Sequence, residues 1–385
     1  MMRCRKFDLY NHLFYIYMFI KQFYLFPSGG LQVGDVLFII LFVIYLMNNK
    51  IKISKNKYYL VLFIVLVILI NTFYSIRYKE FSFVISSFYY IYNFFIILFI
   101  GNKKNDINFL YGLKKVCRIN IYIQFIFSLL TFSSNNRIHG TFNDPNQFAF
   151  FVLSMMFFIR LLNTKVNDET NNYIDYIVAT ILIFMSTSVA LSISVLLFWI
   201  IVLLLDKKIK VLLIITIPIV CVLFIYNYKT IEEAVFNSFL IDRFTMKIDD
   251  LNDYGFLNYY IEDRQMQYIF SNPRYLIFGS GEGYLQRFSM YGEKVLEIHS
   301  TLPAILFYYG IIPFCFLITW IYREIRKTDK ELLLFLSIYL IESFTLANQR
   351  QPFIWMYIIL CTATAFSKNN NIESHIVINK NSKNN

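Results

Sequence analysis

The sequence predicts an all-α, polytopic helical membrane protein with about 12 transmembrane helices and one long extracytoplasmic loop before the tenth. Of its 385 residues, 57% are hydrophobic and 16% are charged, which leaves too little polar surface to cover a soluble domain of this length. The apolar residues fall in runs long enough for helical spans. The net charge of +11 lies mainly between alternate runs, as expected for cytoplasmic loops, so it does not indicate a nucleic-acid partner.

Each predicted span is an apolar run bounded by polar or charged residues. The first resembles a signal peptide but lacks a small-residue cleavage site, so we interpret it as a retained span. The run 173–205 is too long for one untilted helix, and the small polar cluster 186–188 divides it into two. The predicted spans are 9–26, 31–47, 58–75, 81–100, 116–132, 147–162, 174–188, 190–205, 209–226, 300–321, 332–347 and 352–366.

The distribution of basic residues predicts the orientation. With a cytoplasmic N-terminus, most of the 36 Lys and Arg residues fall on the cytoplasmic side, in dense clusters at 50–57, 207–210 and 323–330. This pattern favours twelve spans over eleven and places both termini in the cytoplasm. We therefore expect a single integral membrane domain, 1–385, with an extracytoplasmic loop subdomain at 227–298. The Asn-rich segment 368–385 is predicted to be a disordered cytoplasmic tail.

A few basic residues on the predicted outer side are exceptions to that pattern. Arg137 and Arg350 lie in short outer loops, and Arg264 lies in the long one. A guanidinium group there can bind an anion, cap a helix C-terminus or meet a lipid phosphate, and the sequence leaves these alternatives open. His139 shares the short loop with Arg137 and is a second candidate there. Asp144, at the end of this loop, is interpreted as a helix N-cap.

The long outer loop contains a predicted helix, 261–270, that carries Arg264. It is followed by a turn in which glycines alternate, including Gly279 and Gly281. Such a turn permits a backbone nest whose N–H groups face phosphate oxygens, although glycine-rich turns more often only let the chain turn. His299 lies where the loop re-enters the membrane, before a long apolar helix containing Gly310. An interfacial imidazole is suited to proton transfer, or it caps the helix.

Two further patterns concern charges and metals. Glu342 is a carboxylate inside a predicted span, which indicates a cavity or a partner, and Arg350 is placed to pair with it. The cysteines are scattered singly, so neither disulfides nor a cysteine metal site is indicated. The first predicted outer loop contains a single acidic residue, Asp35, so a site that holds a divalent cation between paired carboxylates is disfavoured there.

Together these features resemble the O-antigen polymerase and O-antigen ligase superfamily over most of the chain. These bacterial enzymes use undecaprenyl-diphosphate-linked glycans at the outer face of the cytoplasmic membrane. In that family an Arg-x-x-Gly element in a short outer loop precedes a helix that begins near an Asn, similar to Arg137, Gly140 and Asn146. A long outer loop then carries an Arg, a Gly-x-Gly turn and a His, similar to Arg264, Gly279, Gly281 and His299.

Two departures weaken assignment to the ligase branch. That branch is described by His, then Asn, Ser or Gln, nine residues, Gly, two residues, and Gly, Thr or Tyr. His299, Ser300 and Gly310 fit this description, but Pro313 occupies the last position. A Ser-Arg pair common in the family would fall near 186–192, where the sequence has no Arg.

The resemblance implies a glycosyltransferase that needs neither metal nor cofactor. It would be a repeat-unit polymerase for O-antigen or capsular polysaccharide in the bacterial cytoplasmic (inner) membrane. The implied partners are an undecaprenyl-diphosphate-linked oligosaccharide, membrane lipid, a chain-length regulator and a flippase, with no nucleic acid. The alternatives are a ligase that transfers glycan to the lipid A core and a lipid-linked oligosaccharide flippase or other transporter, which should show related halves and broken or charged helices near the midplane.

The implied site assigns roles by charge. Guanidinium groups bind phosphate oxygens through paired hydrogen bonds, so Arg137 and Arg264 would hold the diphosphate. His299 would accept the proton of the attacking hydroxyl, and it completes the predicted catalytic set. The predicted substrate-binding residues are Arg350, Gly279, Gly281, His139 and Glu342.

Overall fold

The protein is described from a computed structural model that covers residues 8–26, 31–51, 53–131, 137–167, 173–206, 239–288 and 297–365. Within these ranges every regular element is a helix and no β-strand occurs, which confirms the all-α prediction for the described part of the chain. The predicted span 209–226 and the predicted tail 368–385 lie outside the described residues.

Three helices are long and apolar enough to cross a membrane, namely α3, α4 and α6. Helices α2, α7, α8 and α16 are also apolar but shorter. In chain order, the helices are α1 Leu9–Ile20, α2 Val33–Asn48, α3 Lys57–Tyr78, α4 Ser82–Lys103, α5 Ile107–Leu130, α6 Pro145–Val166, α7 Tyr173–Met185, α8 Val189–Leu205, α9 Phe239–Tyr254, α10 Phe256–Asp263, α11 Gln267–Ser271, α12 Tyr275–Phe278, α13 Thr301–Tyr309, α14 Ile311–Ile325, α15 Lys330–Glu342 and α16 Pro352–Cys361.

The described helices pack into a bundle with two chemically different ends. At one end, which we call the basic end, ion pairs connect different helices, including Lys103 to Asp8 at 2.5 Å and Lys165 to Asp329 at 3.1 Å. The opposite end, which we call the loop end, contains the connections 137–144, 186–188, 264–266, 279–284 and 343–351. All the candidate site residues lie at the loop end or in the elements that meet there.

Helix α6 lies at the centre of the bundle, whereas α3 lies at its periphery. The central window of α6 is 94% buried, and that of α3 is 33% buried. Large apolar side chains remain exposed along one face of α3 at helical spacing: Leu62, Val65, Leu69, Phe73 and Ile76. An exposed apolar face of this length suits contact with lipid better than contact with water.

The break in 173–205 is confirmed, because α7 ends at Met185 and α8 begins at Val189. The predicted continuous helix 300–321 is wrong, since it is interrupted at Gly310. Gly310 has a φ of +79°, and Pro313 has no N–H to donate to the carbonyl four residues earlier. The fifth span is longer than its apolar part, because the Asp106 side chain accepts a hydrogen bond from the N–H of Asn108 and starts α5 there.

Candidate functional site

Arg264 and His299 are brought together at the loop end. The predicted helix 261–270 is interrupted at this point, since α10 ends at Asp263 and Gln265 has a φ of +56°. The Arg264 carbonyl accepts a hydrogen bond from the His299 N–H at 3.0 Å. The Arg264 guanidinium donates to the Thr345 carbonyl and pairs with Asp263 at 3.1 Å. This interruption therefore places a cation beside the imidazole.

The surroundings of His299 favour its neutral form. Burial lowers the pKa of His299, and the nearby Arg264 cation lowers it further; Glu297, Asp263 and Asp144 oppose this effect. A neutral imidazole has a nitrogen lone pair available to accept a proton. His299 is therefore suited to act as a base at neutral pH.

Glu342 lies at the end of α15, close to the contact between Arg264 and Thr345. Its side chain is 1% exposed, and one carboxylate oxygen accepts a hydrogen bond from the Asn348 amide at 2.8 Å. The other oxygen is buried and has no hydrogen-bond partner among the described residues. Arg350 does not pair with Glu342 as the sequence allowed, because Arg350 is engaged elsewhere. Glu342 thus keeps unused hydrogen-bonding capacity beside Arg264.

Arg137 lies at the N-terminal end of α6, in direct contact with one of the residues that share its sequence motif. Its Nη2 donates to the Asn146 side-chain oxygen at 3.0 Å, and its Nε donates to the Ser186 carbonyl at 3.1 Å. Gly140 completes the motif, because its φ of +53° and a side chain from α5 leave no space for a Cβ. The break between α7 and α8 therefore helps to orient Arg137.

These residues lie at the loop end of the bundle, where Arg137 and Asp144 lie at the N-terminal end of α6. Asp144 is the N-cap of α6 and accepts hydrogen bonds from the N–H groups of Asn146 and Gln147, as predicted for a structural residue. Its charge also acts on His299, but more weakly than the charges of Glu297 and Asp263 do, and no hydrogen bond among the described residues joins Asp144 to His299. We call this group the α6 cluster; its members are Arg137, Asp144, Arg264, His299 and Glu342. It contains two guanidinium groups, an imidazole and two carboxylates, and the Asp144 carboxylate already caps the N-terminus of α6, so the guanidinium groups are the part suited to a phosphate-bearing ligand.

The glycine turn 279–283 is inserted into the bundle instead of facing solvent. The Ser280 and Gly281 N–H groups donate to the carbonyls of Phe307 and Tyr308, which the break at Gly310 leaves without their helical partners. A Cβ on Gly279 would lie 2.7 Å from the Tyr309 backbone. The prediction of a phosphate nest at this turn is therefore wrong, because these N–H groups already donate to carbonyls of the protein itself. The glycines instead allow two backbones to approach each other.

Glu282, in this inserted turn, is the centre of a buried polar network. Its carboxylate accepts hydrogen bonds from Tyr90 at 3.0 Å and Tyr309 at 2.6 Å, and it pairs with Arg350 Nε at 2.9 Å. The Arg350 Nη2 pairs with Glu297 at 3.0 Å. The two carboxylates raise the pKa of Arg350, which keeps this side chain a cation. Arg350 is thus held between Glu282 and Glu297.

Sequence reasoning missed Glu282 and Glu297, the two carboxylates that pair with Arg350. The signal was present, because Glu282 is the carboxylate that stands between two glycines of a turn already recognised as tight. Lys21 and Asp35 were also missed as a pair, although they form a buried ion pair of 2.6 Å. His139, by contrast, is exposed, and the structure describes no hydrogen bond from its imidazole that joins it to the α6 cluster.

The sequence matches no protein-family model and no curated protein.

Proposed function

We propose that the chain is a polytopic membrane glycosyltransferase of the polysaccharide polymerase type. It would transfer a growing glycan from undecaprenyl diphosphate to a new lipid-linked repeat unit at the outer face of a bacterial cytoplasmic membrane. The observation that carries the proposal is the α6 cluster, in which Arg264 lies beside His299, and Arg137 lies at the same end of the bundle, at the start of α6.

The arrangement of the two ends supports a twelve-span topology. Helices α1 to α8 alternate in direction, so that Asp8, Lys103 and Asp206 lie at the basic end. Tyr260 lies at the loop end, where its hydroxyl donates to the Phe344 carbonyl at 2.5 Å. An odd number of crossings between Asp206 and Tyr260 fits the predicted ninth span. The positive-inside rule then assigns the basic end to the cytoplasm.

Cysteine labelling tests this orientation. In a chain freed of native cysteines, Thr131→Cys and Thr364→Cys would each be exposed to a membrane-impermeant maleimide on intact spheroplasts; the two threonines lie at the loop end and basic end and are exposed. We expect labelling of the Thr131→Cys variant alone. Labelling of Thr364→Cys alone would reverse the orientation and remove the α6 cluster from the outer face.

The α6 cluster offers the groups that the transfer needs. The acceptor hydroxyl oxygen forms a bond to the anomeric carbon of the donor glycan, and the bond from that carbon to the diphosphate oxygen breaks. The leaving undecaprenyl diphosphate takes the electron pair, and Arg264 and Arg137 stabilise its charge. His299 accepts the proton of the attacking hydroxyl. Because diphosphate is already a stable anion, this scheme does not require an acid to protonate the leaving group.

A genetic experiment tests the proposal. The gene would be deleted in its native host and complemented with wild type, Arg264→Ala or His299→Ala, and surface glycan would be separated on a gel. We expect a ladder for wild type and a single repeat unit for both variants. The matched controls are Arg274→Ala, an exposed arginine ten residues away, and His12→Ala, an exposed histidine at the basic end. An unchanged ladder in both site variants would reject the proposal, and full-length chains left on the carrier lipid would indicate the ligase.

One observation favours a transporter as the second candidate. The helix pair α13 and α14 is broken at Gly310, and the buried ion pair of Glu282 and Arg350 lies next to the break. Transporters bind substrates at discontinuous helices of this kind. In the same experiment, a flippase would give no surface glycan and would trap repeat units inside the cell.

A further inference from the structure

A cavity of about 340 Å³ opens beside the inserted glycine turn, next to the α6 cluster but separate from it. Its volume lies at the lower end of the range for small-molecule sites, about 300–1,000 Å³. Its polar and aromatic lining includes Ser82, Ser86, Tyr89, Glu282, Tyr284, Glu297 and Arg350.

The charge of the cavity disfavours an anionic ligand. Glu282 and Glu297 line it together with Arg350, and both carboxylates are ion-paired with that single guanidinium. The described lining therefore carries one more negative than positive charge. A diphosphate entering this cavity would meet carboxylates and would compete with them for Arg350, whereas Arg264 and Arg137 offer it a better site.

The polar and aromatic lining suits a sugar ring. The Glu297 side chain is 46% exposed, so its carboxylate can accept hydrogen bonds from ligand hydroxyl groups while it pairs with Arg350. Tyr284 is 38% exposed and presents an aromatic ring at the rim, where the apolar face of a pyranose can stack. Arg350 lies over the Tyr89 ring, 5.5 Å from its centroid, and these two side chains form part of the cavity wall.

The backbone at the rim is strained in a way that is consistent with a ligand site. Tyr284 has a φ of +42°, a conformation that bulky residues rarely adopt, and its N–H donates to the Ser82 hydroxyl at 3.1 Å. Such outliers persist where the surroundings hold them and are concentrated at ligand clamps and active sites.

The cavity is connected to the α6 cluster through the chain itself. Glu297 lines the cavity and His299 follows two residues later, so their Cα atoms lie at most about 7 Å apart. A ligand hydroxyl at this edge of the cavity would therefore lie close to the proposed base.

We propose that this cavity binds the acceptor sugar, a neutral, hydroxyl-rich pyranose ring, and presents its hydroxyl to His299. The assignment rests on the proposed polymerase function for the identity of the sugar as acceptor. Glu297, Tyr284 and Arg350 are then its binding residues, and Glu282 is a positioning residue that acts through Arg350.

Binding can be measured without turnover. Saturation-transfer NMR on the purified full chain in detergent would use methyl glycosides of common hexoses and N-acetylhexosamines, and calorimetry would use inorganic diphosphate. We expect at least one glycoside to receive saturation, and we expect Ser86→Leu, which fills the cavity, to weaken its binding at least tenfold. Diphosphate binding should remain in Ser86→Leu and should fall in Arg264→Ala.

The control variant is Ser337→Leu, since Ser337 is an exposed helical serine whose hydroxyl, like that of Ser86, bonds only to its own helix backbone. Should Ser86→Leu fail to fold, Glu297→Gln at the exposed rim replaces it. Absence of saturation for every glycoside, or glycoside binding unchanged in the filled cavity, would overturn the inference. Loss of diphosphate binding in Ser86→Leu would make the cavity an anion site instead. If the gel ladder of surface glycan is lost in Arg264→Ala and His299→Ala, the polymerase proposal stands whatever these binding measurements show.

Discussion

The two ends of the bundle use charged residues in different ways. At the basic end, the described ion pairs join different helices or their caps, and the more exposed partner of each pair ranges from 27% exposed for Glu331 to 57% exposed for Asp329. At the loop end, Glu282 is 2% exposed and accepts hydrogen bonds from two tyrosine hydroxyls in addition to pairing with Arg350. Buried oxygens without hydrogen-bond partners among the described residues occur at both ends, such as one of Glu342 at the loop end and one of Glu324 at the basic end. Exposed pairs add little stability, whereas buried groups with spare capacity need a reason to be retained. In the proposed function, the loop end binds the ligands and the basic end sets the orientation in the membrane.

The largest expected effect is on the proposed glycan transfer at the loop end. Replacing His299 by alanine removes the proposed base and should lower the elongation rate by about 10²–10⁴-fold. The rate would be measured on the purified chain, and melting in detergent would show that the fold is intact. His12→Ala at the basic end should leave the rate unchanged, and an equal loss in both variants would remove the distinction between the two ends.

The next effect is on stability. Glu282→Ala leaves Arg350 with Glu297 as its one remaining described carboxylate and removes the hydrogen bonds from Tyr90 and Tyr309. It should therefore destabilise the fold by about 3–5 kcal/mol. Thermal melting in detergent measures this change. A melting temperature equal to that of wild type would mean that the inserted turn is not held by its carboxylate.

The pH dependence of elongation sharpens the assignment of His299. A base acts in its neutral form, so the rate should rise with pH through the pKa of His299, and burial and Arg264 lower that pKa. The acid limb should therefore lie below the ordinary histidine value of 6.5. In Arg264→Gln the imidazolium is no longer repelled by the cation, so the pKa of His299, followed by NMR titration without turnover, should move toward its ordinary value. A pKa that does not move in this variant would separate Arg264 from His299.

The smallest effect is expected at the basic end. Asp329→Asn removes the charge of a side chain that is 57% exposed but keeps an oxygen that can accept a hydrogen bond from the buried Lys165, so it should change stability by less than about 1 kcal/mol. The same melting experiment measures it. A loss as large as that of Glu282→Ala would contradict the contrast between the two ends.

The sequence predicted the helical class, the helix start at Asp144 and the break at 186–188, because each depends on local patterns of apolar residues and caps. It also singled out Arg137, Arg264 and His299, which the structure places at the loop end. It did not predict the role of Glu282, because that role depends on a turn filling a break in a distant helix. Nor could hydropathy show that Gly310 interrupts α13 and α14, since the residues on both sides are apolar.

The most direct test of the proposed polymerase function is elongation by the purified chain in vesicles, with lipid-linked repeat units extracted from the deletion strain as substrate. Product length would be followed for wild type, for His299→Ala, and for His299→Ala with added imidazole. We expect long products for wild type, single units for His299→Ala, and partial rescue by imidazole as an external base. Elongation by His299→Ala at the wild-type rate, or no elongation by wild type, would contradict the proposed function.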